Sequence, residues 1–203
     1  MMAKWRNVLI GGAVAAAGGA VAWYARERST PEPDYRSLRH DKQFELRDYP
    51  PVIVAAVEHT GARRKTLNRG YERLSEYTEG KDRSSGEDDT SRLSMVVPVL
   101  QDATGDKSWR LRFVMPLDRT RGSLPQPPAD IRLEELPARR IAAIRFSGAP
   151  RMKDLRRRED ELRRWLEREE LQPIGGFEYA FYNSPMIPPF LRRNEVWVPV
   201  SAE

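Results

Sequence analysis

The stretch YNSPMIPPFLRRNEVWVPV, residues 182–200, concentrates the side chains most suited to binding a ligand. Before its final strand it combines three prolines with apolar Met, Ile, Phe and Leu, followed by two adjacent arginines. Ordinary hairpin loops turn on Gly and Asn and carry polar residues at the tip. This loop is instead stiff, apolar and basic, so turn formation alone does not account for its composition.

The other reactive side chains argue against an enzyme. The chain has no cysteine, which excludes disulfides, thiolate metal sites, a cysteine nucleophile and a lipoprotein anchor. Its two histidines, His40 and His59, are too few for a multi-histidine metal site. There is no Ser-His-Asp order, no glycine-rich phosphate loop and no metal triad. The sequence therefore predicts a protein that binds rather than catalyses.

Charge and length point to a folded domain that does not bind nucleic acid. The 203 residues include 35 basic and 30 acidic side chains, for a net charge of +5. Basic and acidic residues alternate along the chain, so no continuous basic face of the kind nucleic acid needs is expected. A hydrophobic content of 39% suffices for one sizeable core.

The N-terminal segment has a different composition. Residues 8–25 contain no charge and are flanked by basic residues on both sides. As a helix they would span about 27 Å, close to the hydrocarbon thickness of a bilayer. We expect residues 1–25 to form a membrane anchor, followed by a linker over 26–42, with the domain on the periplasmic side. The alternatives are a signal peptide cleaved near the small residues 20–22, which would release the domain into the periplasm, and a core helix.

An internal duplication organises the rest of the chain. FELRDYPPVIVAAVEHTG, residues 44–61, aligns without gaps with IRLEELPARRIAAIRFSG, residues 131–148, at an offset of 87. Further on, FVMPL at 113–117 matches VWVPV at 196–200. Because the matching blocks occur in the same order, we predict a domain over residues 43–201 that consists of repeats 44–117 and 131–200.

Each repeat is predicted to contain two short strands separated by proline, a helix, and two further strands. Apolar residues at helical spacing place the helices at 65–79 and 151–171. The closing strands are expected at about 92–100, 108–116, 176–183 and 194–200. The fold class is therefore α+β: a distorted β-barrel of two pseudo-twofold-related ββαββ repeats, with both helices packed outside and a cleft where the repeats meet.

Six motifs together resemble the SOUL family of haem-binding proteins. They occur in the family's order over residues 42–200, and they are FELRDYPP, SMVVPV, FVMP, LPQPP, RFSG and the terminal block YNSPMIPPFLRRNEVWVPV. The resemblance implies a distorted barrel related to bacterial effector-binding domains, and reversible binding of haem or another tetrapyrrole. Bacterial members similar to this chain often carry an N-terminal hydrophobic segment.

The resemblance also implies where the ligand lies: between the first helix and the loop that joins the last two strands. A porphyrin is a flat apolar plate with propionates at one edge, so the loop would form a wall and its arginines a clamp. The alternative is that the loop caps the barrel and an arginine pairs with Glu195. The expected ligand-binding residues are Arg69, Tyr71, Arg73, Leu74, Ser75, Thr78, Met186, Ile187, Pro188, Phe190, Leu191, Arg192 and Arg193.

Iron coordination is weakly supported by the sequence. Family members best known for haem binding have methionines at the positions of Tyr71 and Ser75, and one branch has an axial histidine where Asp48 stands. His59 is the first metal-ligand candidate, and the other possible ligands are His40, Tyr71, Met95 and Met186.

The leading functional interpretation is a tetrapyrrole carrier or buffer that works by hydrophobic enclosure and Arg–propionate pairing, with weak or absent axial ligation. The alternatives are a binding module for another amphipathic small molecule and an envelope interaction domain with a vestigial cleft. No protein partner is indicated.

Overall fold

The computed structural model describes residues 29–81 and 92–202, which contain nine β-strands and two α-helices. The helices are α1 (Arg63–Glu79) and α2 (Met152–Arg168). The strands are β1 (Arg36–Asp41), β2 (Phe44–Tyr49), β3 (Val52–Thr60), β4 (Val96–Ala103), β5 (Ser108–Val114), β6 (Arg132–Leu136), β7 (Arg139–Phe146), β8 (Glu178–Phe181) and β9 (Asn194–Val200). Both helices and all the strands predicted from the repeats are therefore present.

The strands form one antiparallel sheet in the order β1-β2-β7-β9-β8-β4-β5-β3-β6. The order is symmetric about the β8–β4 contact, where Leu100 pairs with Ala180. Each strand of the first repeat occupies the place of its counterpart in the second. The sheet curls into a half-barrel with two helices, which confirms the predicted α+β fold and its pseudo-twofold symmetry.

Prolines determine how the two repeats join. Pro50 and Pro51 separate β2 from β3, and Pro137 separates β6 from β7. Proline fixes φ and lacks an N–H, so these corners do not form tight hairpins. Instead β2 pairs with β7 of the second repeat, and β6 pairs with β3 of the first. Each repeat thus lends its first strand to the other half of the sheet.

Both helices pack on the same face of the sheet. Leu74 and Tyr77 of α1 are buried against β3 and β5, while Leu155 and Trp165 of α2 are buried against β7 and β9. Leu74 and Tyr77 lie three residues apart, and Leu155, Leu162 and Leu166 follow at spacings of seven and four, as the buried face of an amphipathic helix requires. The helices therefore build two apolar cores, one on each half of the sheet.

The opposite face of the sheet is buried without a covering helix, because the sheet curls around it. Glu195 is fully buried there and accepts hydrogen bonds from Arg47 at 2.7 Å, Arg193 at 2.9 Å and the indole of Trp197 at 2.6 Å. Burial, the largest influence, acts to raise the pKa of Glu195, but the charges of the two arginines hold it below its usual value. The carboxylate is therefore ionised and tightly paired.

The other half of this face carries the opposite charge at equivalent positions. Arg112 aligns with Glu195 in the repeat, and it donates to Asp102 at 2.8 Å and lies 3.3 Å from Glu178. Glu134 likewise aligns with Arg47. The two halves of the inner face are thus similar in backbone and reversed in charge, so the repeats are no longer interchangeable.

The structure adds an edge strand within the predicted linker. Strand β1 pairs with β2, and Tyr35 packs on Tyr49 with ring centres 5.1 Å apart. The compact unit that contains the sheet begins at Pro31. None of the helices formed by residues 29–81 and 92–202 is long and apolar enough to cross a membrane. The predicted anchor at 8–25 lies outside the described residues.

Candidate ligand-binding site

Where the two helix cores meet, three apolar side chains lie in line across the middle of the sheet, with Phe113 buried in the core beneath α1. Phe113 on β5 pairs with Val99 on β4, and Val99 pairs with Phe181 on β8. Paired residues of antiparallel strands point to the same face, so all three lie on the helix side. Val99 and Phe181 are only partly buried. We call Phe113, Val99 and Phe181 the interhelix floor.

One stripe of α1 borders this floor. Tyr71 packs edge-on against Phe113, with ring centres 5.2 Å apart, and remains 43% exposed. Residues four apart share a helix face, so Ser75 lies in the same stripe one turn after Tyr71, with Thr78 beyond it. Tyr71, Ser75 and Thr78 were all predicted to face the ligand; the structure brings Tyr71 to the floor, and Ser75 and Thr78 follow it on the same helix stripe.

The other predicted residues of α1 do not face the floor. Leu74 is fully buried in the core beneath the helix. Arg73 forms a two-pronged pair with Asp130, at 2.6 and 2.9 Å, on the opposite flank. Arg69, exposed one turn before Arg73, belongs to the same flank. The expected rim charges of α1 therefore lie on the far side of the helix.

The loop joining β8 to β9 exposes its largest apolar side chains. Met186 is 81% exposed and Phe190 is 74% exposed, whereas Ile187 is buried. The loop is attached to the β7–α2 turn because the Gly148 N–H donates to the Pro189 carbonyl at 2.8 Å. Pro188 and Leu191 are exposed beside these residues. The loop thus offers an uncovered apolar surface on a backbone braced by proline.

The two loop arginines stabilise the protein's own structure. Arg192 donates to the Ile187 and Pro185 carbonyls at 2.7 and 2.6 Å. Arg193 stacks on the ring of Tyr182 at 3.6 Å and pairs with Glu195. The alternative considered from the sequence, that one arginine pairs with Glu195, is what the structure has. Arg193 also pairs with Glu32 at 3.0 Å, so its charge is already matched.

The structure does not bring His59 to the interhelix floor. His59 pairs with Trp109, four residues along β3 from the pair formed by Ala55 and Phe113. At about 3.3 Å per residue, roughly 13 Å separates the two pairs. Its Nε2 is buried without a hydrogen-bond partner among the described residues.

Asp48, which stands at the position of a possible axial histidine, is paired with two arginines. It accepts hydrogen bonds from Arg140 at 2.8 Å and from Arg36 at 2.9 Å. These bonds, with Arg140 first, hold the pKa of Asp48 at about 2, below its ordinary value. An ionised, doubly paired carboxylate does not replace an imidazole as an iron ligand.

A polar cluster that sequence analysis did not single out lies at one end of the floor. Arg63 donates to the Gln101 side-chain carbonyl at 2.6 Å and lies over the rings of Trp109 and Tyr179, at 5.4 and 5.6 Å. The Tyr179 hydroxyl donates to Glu159 of α2. We call these five residues the Arg63 cluster. The available sequence signal was a first helical turn with consecutive cations and no acid.

Similar solved structures define the class of fold. The C-terminal domain of EcmrR matches with a TM-score of 0.60 and 11% identity, covering 83% of this chain and 99% of that one. An uncharacterised conserved protein from Listeria innocua matches at 0.54 with 15% identity, covering 79% and 93%. A hydrolase from Listeria innocua matches at 0.53 with 15% identity, covering 81% and 94%. The chain therefore has an effector-binding-domain-like fold.

Within that class the chain belongs to the SOUL heme-binding protein family, whose model matches residues 30–199. The family assignment made from the six motifs is thereby confirmed. The family is one of binding proteins, and its description indicates haem or a related tetrapyrrole as the general ligand. No curated protein sequence matches the chain.

Proposed function

We propose that this protein reversibly binds a tetrapyrrole over the interhelix floor, between α1 and the β8–β9 loop. The observation that carries the proposal is the pair of partly buried residues, Val99 and Phe181, where the two helix cores meet, next to a loop whose Met186 and Phe190 are exposed. Large apolar side chains such as Met186 and Phe190 are seldom left exposed in one short loop without a binding role. The flat faces of a porphyrin suit such a floor and wall.

Enclosure, not iron coordination, would supply most of the binding free energy. His59 lies about 13 Å from the floor by strand spacing, and Asp48 is paired with two arginines. The chain's own residues would hold the ring between Tyr71 and the apolar loop. A site without a strong axial ligand releases its ligand readily, which suits a carrier or buffer.

Absorbance titration of the full chain with haemin and with iron-free protoporphyrin tests this function. We expect saturation at one equivalent and affinities within a few fold of each other, because the iron adds little. A much tighter complex with haemin would show that the iron is coordinated. The absence of saturable binding to either would reject the tetrapyrrole function and favour another amphipathic small molecule.

The loop wall is tested by Phe190→Ser, with Ile174→Ser as the matched control. Both side chains are largely exposed, at 74% and 67%, so neither change should alter the free energy of unfolding by more than about 0.5 kcal/mol. Loss of an aromatic contact should weaken porphyrin binding roughly tenfold in Phe190→Ser alone. Equal affinities in the two variants would exclude the loop from the site.

We also propose that residues 8–25 anchor the domain at a membrane, with the domain on the periplasmic side. The support for the anchor is their uncharged sequence between basic flanks, and the periplasmic orientation is a separate proposal because these flanks are balanced. Fusing alkaline phosphatase to the C-terminus tests the orientation, since the reporter is active only outside the cytoplasm. Partition of the full chain into the membrane fraction distinguishes an anchor from a cleaved signal peptide.

The proposal is binding without catalysis. It rests on the family's description as haem-binding and on a floor made of apolar side chains. Two similar structures from Listeria innocua are described as hydrolases. At identities of 15% they share only the fold with this chain. Turnover of ester substrates by the purified protein would contradict the proposal.

A further inference from the structure

Arg63 is a partly buried cation whose charge no carboxylate neutralises. Within residues 29–81 and 92–202, no Asp or Glu oxygen forms a salt bridge with its guanidinium, and its one hydrogen bond goes to the neutral Gln101. Its Nε is buried and has no partner among those residues. The deeply buried arginines Arg47 and Arg112, by contrast, are each paired with carboxylates.

The surroundings of Arg63 reinforce its positive charge. Arg64 and Lys65 follow it in the first turn of α1, which contains no acid and lacks a side-chain cap. The N-terminal end of a helix adds a partial positive charge. Glu159 is the carboxylate of this cluster, and it accepts a hydrogen bond from the neutral Tyr179 hydroxyl rather than from Arg63. Burial lowers the pKa of Arg63 below its usual value, as expected for a guanidinium without a paired carboxylate.

The Arg63 cluster is continuous with the interhelix floor. Gln101 pairs with Tyr179 two residues along β4 and β8 from the pair of Val99 and Phe181. Two residues of a strand span about 7 Å. A flat ligand on the floor could therefore direct one edge toward the Arg63 guanidinium, which lies beside the rings of Trp109 and Tyr179. The guanidinium would then meet a charged substituent at that edge.

We infer that the Arg63 cluster is a carboxylate-binding subsite, and that it selects tetrapyrroles with free propionates over their neutral esters. This inference rests on the proposed function and identifies the anchor for the ligand's acidic edge. A guanidinium binds a carboxylate through two parallel hydrogen bonds, which supply both energy and orientation. The subsite thus takes the role that the sequence suggested for Arg192 and Arg193, which the structure shows bound to the protein itself.

The first test compares haemin with haemin dimethyl ester in the wild type, in Arg63→Met and in the control Arg64→Met. Arg64 is exposed and adjacent, so its removal alters the net charge equally. We expect the wild type and Arg64→Met to prefer haemin by roughly ten- to a hundredfold. Arg63→Met should abolish that preference and leave affinity for the ester unchanged. A preference retained in Arg63→Met would overturn the inference, as would an equal loss for both ligands.

The second test examines the subsite independently of porphyrins. NMR follows the indole N–H of Trp109, assigned with Trp109→Phe, during titration with 2-naphthoate and with neutral 2-naphthalenemethanol. We expect a saturable shift with naphthoate alone, and its loss in Arg63→Met. Equal responses to the two compounds, or none, would refute the subsite. If naphthoate binds as expected but neither porphyrin binds to the wild type, the subsite stands and the tetrapyrrole function falls.

Discussion

Replacing Glu195 with Gln would remove the central charge of the inner face of the sheet. The carboxylate is fully buried and lies against Arg47 and Arg193, and it also accepts hydrogen bonds from Trp197 and Tyr182. Glutamine has nearly the same size, so it creates no cavity. Its amide carries no charge, however, and can place an NH₂ group against the guanidinium groups.

The expected loss in unfolding free energy depends on which carboxylates remain beside Arg47 and Arg193. Breaking a buried ion pair by removing one partner costs about 3–5 kcal/mol, because the remaining charge is left unpaired. Arg47 keeps Glu45 at 2.7 Å, and Arg193 keeps Glu32 at 3.0 Å. Each cation therefore retains one carboxylate, and we expect the lower limit, about 3 kcal/mol. For a domain of this size that corresponds to a fall of about 6–12 °C in Tm.

Equilibrium urea unfolding of Glu195→Gln measures this change, with an unchanged m-value as the sign that the folded state stays compact. Glu76→Gln is the control, since Glu76 pairs with Arg73 at 3.3 Å but its side chain is 40% exposed. Exposed pairs contribute about 0–1 kcal/mol, so the control should differ little from the wild type. If Glu195→Gln loses no more than Glu76→Gln, the inner face is accessible to water and the reasoning is wrong.

Two further predictions concern folding. Gly70→Ala should destabilise the protein by about 1 kcal/mol despite the better helix propensity of alanine, because a Cβ would lie 3.3 Å from the buried Leu111 side chain. Thermal unfolding measures this change. The control is Gly122→Ala, where a Cβ would have no neighbouring side chain within 4 Å. The hydrogen bonds that lower the pKa of Asp48 to about 2 stabilise the fold above about pH 4, and this contribution disappears as the pH falls toward 2. Urea unfolding across that range should show a flatter pH dependence for Asp48→Asn.

The sequence predicted the repeat and its elements because a constant offset aligned both their apolar patterns and their proline breaks. It did not predict which strands pair across the repeats, since alternation within β2 shows which side is buried but not which neighbour binds its edge. Strand β1 was assigned to a linker for a related reason. Its residues are exposed on both faces, as in a polar edge strand, so they lack alternation.

The sequence predicted the apolar loop of the candidate site but not the partners of its arginines. The exposed apolar loop followed from composition and proline content, which are local properties. The engagement of Arg193 with Glu195 depended on the strand direction after the loop, and their spacing of two residues was a usable signal because such residues share a face. The isolation of Arg63 could not be predicted, because it depends on which acids the folded chain places near α1.

Because the first strand of each repeat pairs within the other half of the sheet, separating the two repeats would leave strand edges unpaired. A fragment that ended in the connector near residue 125 would keep β2 without β7 to receive it, and would present β3 without β6 along its edge. Such a fragment could pair both strand edges only by forming a dimer with a second copy of itself. The reversed charges of the inner face would then be lost, because Arg112 of the first repeat would stand where Glu195 now pairs with Arg47. Two repeats joined in one chain can carry different charges at equivalent positions, which two identical halves could not do.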